Sequence, residues 1–168
     1  MSTQRTLVCP ATTPTSRRDA PAGYAIRPCR PADTEALGRL YFESYDPGTA
    51  SATYEDALTD VRASFAGDYG ELWQNASLVA TSSDQQIVAA LLLVVRAPWP
   101  DTPDCPFIIE LFTDRLHRRR GLARTLVRGT QAAIAGADDT RLALRVSGDN
   151  EPALALYQQL GFKDWVPA

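Results

Sequence analysis

Nine consecutive apolar residues, Ile87-Val88-Ala89-Ala90-Leu91-Leu92-Leu93-Val94-Val95, constrain this chain more than any other feature. A helix of a soluble protein exposes one face, so polar residues interrupt its pattern every few positions. An unbroken run of this length, bounded by Gln86 and Arg96, fits a strand covered on both faces. It falls well short of the roughly 20 residues that a membrane-spanning helix needs. A strand buried on both sides requires layers above and below it, so the remaining chain must place helices around one sheet.

The flanking segments contain those helices. Residues 24–28 read as a short first strand closed by Pro28. Pro31 and Asp33 then open a helix, with the acid at the positive end of its dipole. Leu37, Leu40 and Tyr41 form its apolar stripe, and Asp46-Pro47-Gly48 ends it. A second helix is expected over 54–65, where Ala57, Leu58, Val61 and Phe65 share a face. Segments 77–81 and 86–96 flank the polar turn Ser82-Ser83-Asp84-Gln85 and read as a hairpin. Residues 97–106 hold four prolines and form a loop. A strand over 107–113, a helix over 121–135, a strand over 141–146 and a helix over 152–160 follow, with Gly161 as the last stop. The order β-α-α-β-β-β-α-β-α belongs to one α/β domain over 23–168. Residues 1–22, rich in Thr, Ser, Pro, Arg and Ala without a hydrophobic period, are expected to be a flexible tail.

Charge and cysteine usage narrow the function. A net charge of −3 argues against a nucleic-acid partner held by bulk electrostatics. Cys9, Cys29 and Cys105 lie far apart and His117 is the single histidine, so no metal site is expected. No local signature supports a Cys–His nucleophile pair. The N-terminus lacks an apolar signal core, and nothing suggests a membrane segment, so a cytoplasmic location is expected.

Residues 111–123 carry the most chemical information. They run strand, short turn, helix start, and a helix start presents unpaired backbone N–H groups at the positive end of the dipole. Such an end binds a pyrophosphate. Gly121 lets phosphates approach the backbone and Ala123 keeps the next turn narrow. Arg118, Arg119 and Arg120 are either a solvated charge run or donors to phosphate oxygens. Cations are disfavoured at a helix N-terminus, so three of them there ask for an anion.

Arg118-x-x-Gly121-x-Ala123 resembles the Gln/Arg-x-x-Gly-x-Gly/Ala signature of the GNAT superfamily of acetyl-coenzyme A-dependent N-acetyltransferases. Downstream, Asn150, Ala153, Leu156, Tyr157, Gly161 and Phe162 match that family's second block, Asn-x-x-Ala-x-x-Leu-Tyr-x-x-x-Gly-Phe. The strand order also resembles the family's fold from Tyr24 onward. The resemblance implies a mixed, mostly antiparallel central sheet flanked by helices, with a small-molecule amine as acceptor. It implies that the backbone of Leu111, Phe112 and Thr113 pairs with the pantetheine arm of acetyl-CoA. The backbone of Arg118, Arg119, Arg120, Gly121, Leu122 and Ala123 would cradle the pyrophosphate. Asn150 would bond the cofactor near the pantetheine, and Tyr157 would sit by the sulfur.

A tyrosine hydroxyl, with a reference pKa near ~10, is protonated at neutral pH and can donate to a leaving thiolate. Packing against the sheet is the other reading of Tyr157. For a general base the choice is Glu110, which period-two alternation puts on the face opposite Leu111 and Thr113. An exposed or arginine-paired carboxylate is the competing explanation, and Glu71 and Asp114 are further candidates. Tyr41, Phe42, Tyr45, Tyr54, Trp73 and Trp99 are either acceptor-pocket walls or core. Asp46, Glu55 and Asp56 are either attractors of a cationic acceptor or cap and surface charges.

Two departures from the family pattern matter. Arg145 stands where the ribosomal-protein N-terminal acetyltransferases carry a glutamate base, which disfavours a protein N-terminus as acceptor. Six residues, 163–168, remain after Gly161-Phe162, where family members continue with a hairpin. The sheet is then short of a strand, and a homodimer partner or the N-terminal tail is expected to cover the open edge. An acyl-CoA-binding sensor without turnover is the alternative from another functional class.

Overall fold

The computed structural model describes residues 2–11, 20–46, 49–137 and 141–168. The apolar run forms β4 (Ile87–Val94). It sits in a sheet with β1 (Gln4–Pro10), β2 (Tyr24–Pro28), β3 (Leu78–Ser82), β5 (Phe107–Thr113), β6 (Arg141–Ser147) and β7 (Lys163–Asp164). The spatial order is β2-β3-β4-β5-β6-β1-β7. All pairings are antiparallel except β5 with β6.

Helices α1 (Thr34–Ser44) and α2 (Tyr54–Ala66) cover one face of the sheet, and α3 (Leu122–Ile134) and α4 (Glu151–Gln159) the other. This double cover explains the unbroken run. Ala89, Leu91 and Leu93 enter the core shared with α3 and α4, while Ala90 and Leu92 enter the core shared with α1 and α2. Leu91, Leu92 and Leu93 are fully buried, and each contributes about 1.5–3 kcal/mol relative to an exposed side chain. Among the described residues no helix is long and apolar enough to cross a membrane. Pro47 and Gly48, expected to end α1, lie outside the described residues.

Residues 4–10 correct the expectation of a flexible tail. They form β1, which pairs along its whole length with β6, from Gln4 opposite Ser147 to Pro10 opposite Arg141. Its other edge meets β7 at Leu7 and Val8. Leu7 and Cys9 enter the α3-side core, and Arg5 grips Asp164 through two bonds of 2.9 and 2.6 Å. β1 thus covers this edge of β6, the second of the two ways expected for covering it. Residues 12–19 of the expected tail lie outside the described residues.

The feature that positions the site is a split in the sheet. β5 and β6 run parallel but pair at two positions, Phe107 with Ala143 and Ile108 with Leu144. On its β4 side, β5 carries an extra residue: Leu93 faces Ile108 and Leu92 faces Glu110, so Ile109 is bulged. A bulge bends its strand and sharpens the local twist. Beyond Ile108 the two strands diverge, and the β6-facing edge of residues 109–113 is left as the wall of a wedge.

Candidate active site

The C-terminal end of β5 feeds a tight loop into α3. Asp114 starts it, its carboxylate accepting from the Leu116 amide at 2.8 Å and its carbonyl from the His117 amide at 2.9 Å. Two residues then take the left-handed conformation, Arg119 with φ 60° and Gly121 with φ 78°. Alternation of this kind turns successive N–H groups toward one concavity. Gly121 is the N-cap of α3, and a Cβ built on it would meet nothing within 4 Å. Glycine is therefore required there by backbone conformation, and the space beside it is open.

The first bond of α3 runs from the Thr125 amide to the Gly121 carbonyl at 3.0 Å. The amides of Gly121, Leu122, Ala123 and Arg124 donate to no acceptor among the described residues. These are the orphan donors of a helix start, with the dipole behind them. The arginine side chains have other partners. Arg118 donates through Nε to the Thr113 carbonyl at 3.3 Å and through Nη2 to the Ser44 carbonyl. Arg120 donates to the Tyr24 hydroxyl at 3.1 Å, which lies 2.7 Å from Nδ1 of His117. Arg119 is exposed. The cradle is thus a backbone feature braced by two of the three arginines.

Across the wedge stands α4. Asn150 caps it, its Oδ1 accepting from the Ala153 amide at 3.3 Å, which leaves the amide NH2 as the group free to donate. Tyr157 is 8% exposed and packs edge-on against Phe162 at 5.6 Å. Burial pushes its pKa up to about 12, so the phenol is protonated at any physiological pH.

Glu110 projects from β5 toward α1 and α2. The alternation expected around it holds: Leu111 packs against the α3-side core, and Phe112 belongs to the α1-side core. Glu110 as a whole is half-buried, and its carboxyl is surrounded by protein. This burial, with Asp60 repelling a second negative charge, raises its pKa to about 8; Tyr41 opposes the shift by hydrogen bonding to the carboxylate. Tyr45 links the two halves of the site. Burial raises its pKa first, then the fields of Glu110, Tyr41 and Tyr157, while Arg118 lowers it.

The other candidates fall in several places. Tyr41 stacks edge-on with Tyr45 at 5.3 Å and with Phe112 at 5.4 Å, next to Glu110. Trp99 is 37% exposed and contacts Phe107 at 6.1 Å and Tyr69 at 6.5 Å. Phe42 contacts Tyr54 at 6.5 Å, and Trp73 packs on the α3-side core, on the opposite face from Glu110. Asp114 is used as a cap, Glu71 is exposed, and Asp56 bonds the Thr53 cap of α2. Arg145 pairs with Asp101 at 3.1 Å and lies over the Trp99 ring at 5.9 Å. Asp60 and Tyr69, joined by a 2.9 Å hydrogen bond, escaped the sequence reading. One signal was present: Asp60 falls within the inward stripe Ala57–Val61–Ser64 of α2, where an acid needs a reason.

Comparison with known proteins agrees with this arrangement. Residues 35–162 match the family model of the acetyltransferase (GNAT) family. No curated protein matches the sequence. Among solved structures, a GCN5-related N-acetyltransferase from Sphaerobacter thermophilus superposes with a TM-score of 0.71 at 20% identity, over 96% of this chain and 48% of that one. The chain thus spans about half the length of that protein. AAC(6′)-Iy, in complex with a bisubstrate analog, CoA-S-monomethyl-acetylneamine, gives 0.65 at 20% identity over 86% of this chain and 94% of its own. The aminoglycoside 6′-N-acetyltransferase AAC(6′)-IG from Acinetobacter haemolyticus gives 0.61 at 21%, over 85% and 93%. At these identities the likeness establishes a shared fold. The chain belongs to the GNAT acetyltransferase family.

Proposed function

We propose that this protein transfers an acetyl group from acetyl-CoA to the primary amine of a small molecule, with Glu110 as general base and Tyr157 as general acid. One observation carries the reading: β5 parts from β6 beyond Ile108 beside the free amides at the start of α3, and Tyr45, packed on Tyr41, lies in the fields of both Glu110 and Tyr157. The free amides of Gly121, Leu122, Ala123 and Arg124 fit a pyrophosphate. The edge of Leu111, Phe112 and Thr113 that β6 leaves uncovered, where Arg118 holds the Thr113 carbonyl, fits an extended, amide-bearing arm, and the Asn150 amide NH2 can donate to it. Bound acetyl-CoA supplies a thioester carbonyl and a thiolate leaving group.

The protein's own groups then manage two protons. With a pKa of about 8, Glu110 is partly ionised near neutral pH and can take a proton from an incoming ammonium, directly or through water. As the new C–N bond forms and the C–S bond breaks, Tyr157 donates its hydroxyl hydrogen toward the sulfur. The wedge walls of Phe112, Tyr41 and Tyr45 keep bulk water from the acyl group. An amine acceptor is supported by the acid and aromatic rings around Glu110, and by the aminoglycoside acetyltransferases among the structural neighbours.

A two-stage experiment tests the proposal. Acetyl-CoA at about 100 times its dissociation constant should stabilise the fold by ~2.7 kcal/mol. Thiol release across a panel of small amines should then identify acceptors. A melting shift without release for any amine would instead support an acyl-CoA sensor.

A further inference from the structure

The loop between β5 and α3 reaches back to the end of α1 through two arginines. Arg118 donates to the Ser44 carbonyl and, at 3.3 Å, to the Thr113 carbonyl. Arg115 meets the Asp46 carboxylate at 2.8 Å. Ser44 is the last residue of α1, and its carbonyl is one that a helix end leaves without a backbone donor. Tyr45 turns extended at that point, with φ −109° and ψ 157°. It is therefore fastened on both sides by the segment that ends in the phosphate cradle. Its ring rests edge-on against Tyr41, the neighbour of Glu110.

Stability alone is a poor reason for this bracing. The Arg115–Asp46 pair is exposed, with side chains 47% and 82% accessible, and exposed pairs contribute little. What the two arginines hold is more telling, since the Tyr45 ring packs on Tyr41 at 5.3 Å and lies within the fields of both Glu110 and Tyr157. We propose that Arg115 and Arg118 are positioning residues that hold Tyr45 as the wall between the acceptor amine and the coenzyme cradle. The loop that grips the coenzyme thereby also shapes the acceptor subsite. This rests on the amine-acetyltransferase reading. An ammonium approaching Glu110 passes the face of Tyr45, which favours acceptors with a cationic carbon–nitrogen end flat enough to lie on a ring.

The test uses the full chain and the best amine from the thiol-release panel. Arg118→Ala should raise the acceptor KM about tenfold, the scale of a lost charge-assisted hydrogen bond, and the acetyl-CoA dissociation constant by a smaller factor, since Arg118 also braces the cradle. Tyr45→Ala should do the same, and the double variant should be no worse than the poorer single one. Arg115→Ala and Asp46→Asn, which break an exposed pair and leave the core untouched, should shift the acceptor KM in the same direction by less. They carry the test even where Arg118→Ala does not fold. Additive effects of Arg118→Ala and Tyr45→Ala, or an unchanged acceptor KM in Arg115→Ala, would overturn the proposal and leave amine acetylation standing. Absence of thiol release by the wild-type protein with every amine would instead remove the function and this inference with it.

Discussion

The two halves of the wedge are made differently. The cradle side uses contiguous backbone, residues 113–124, whose N–H groups are aimed by two left-handed residues and a helix start. The acceptor side uses side chains from four places: Tyr41 and Tyr45 at α1, Asp60 in α2, Tyr69 after it, and Glu110 in β5. Backbone donors tolerate most side-chain changes but fail when the local conformation is altered. A side-chain pocket behaves in the opposite way, since each substitution adjusts affinity or proton transfer without destroying the groove. On the proposed function, the difference implies a demand for one ligand on the first side and latitude for acceptors on the second.

Mutations should separate the two halves. The largest effect is expected from Gly121→Val, which forces a branched residue to φ 78° and fills the open space beside the amides. Acetyl-CoA binding should vanish by calorimetry, and retained affinity would break the comparison at its cradle end. Next is Glu110→Gln, expected to lower kcat/KM by about 10² to 10⁴-fold and to flatten the rise of rate with pH around 8. The same residue makes a stability prediction. Its carboxyl ionises near 4.5 when unfolded but near about 8 in the fold, so the native state binds the extra proton between those values. Stability contributed by this group is therefore lost as pH rises through that window. Glu110→Gln should raise the melting point relative to wild type more at about pH 9 than at about pH 5.

Smaller effects should follow. Tyr157→Phe should lower kcat by about tenfold to a hundredfold while acetyl-CoA affinity stays near the wild-type value; a rise in the coenzyme dissociation constant alone would mark Tyr157 as packing. Asp60→Asn should have the mildest consequence. Removing the charge that opposes ionisation of Glu110 shifts the midpoint of the pH–rate profile to lower pH, and an unmoved midpoint would detach Asp60 from the base.

Legibility in the sequence follows the same division. The turn with unpartnered amides at the start of α3 was visible because a local pattern, Thr113 through Ala123, sets a local backbone shape. α1, α2, α3 and α4 were visible because their burial follows one helical period along contiguous residues. β1 was not. Leu7-Val8-Cys9 is too short an apolar stretch to announce a strand, and the pairing that orders it comes from β6 at the far end of the chain. The bulge at Ile109 was also hidden, since 107–113 is apolar on both faces of the sheet and no break in alternation marks it. Even so, Glu110 was assigned to the correct face, because Glu110, Leu111 and Phe112 all lie beyond the bulge and alternate normally. Asp60 and Tyr69 required tertiary contact to find, as nothing in their spacing links them to residue 110.

The central claim is that backbone amides entering α3 receive a diphosphate. Amide resonances of Gly121, Leu122 and Ala123 followed by NMR, during titration with coenzyme A and separately with pantetheine, test it most directly. The account expects large shifts of these three amides with coenzyme A and small ones with pantetheine, which lacks the phosphates. Equal responses to both compounds, or none while coenzyme A still binds, would contradict it.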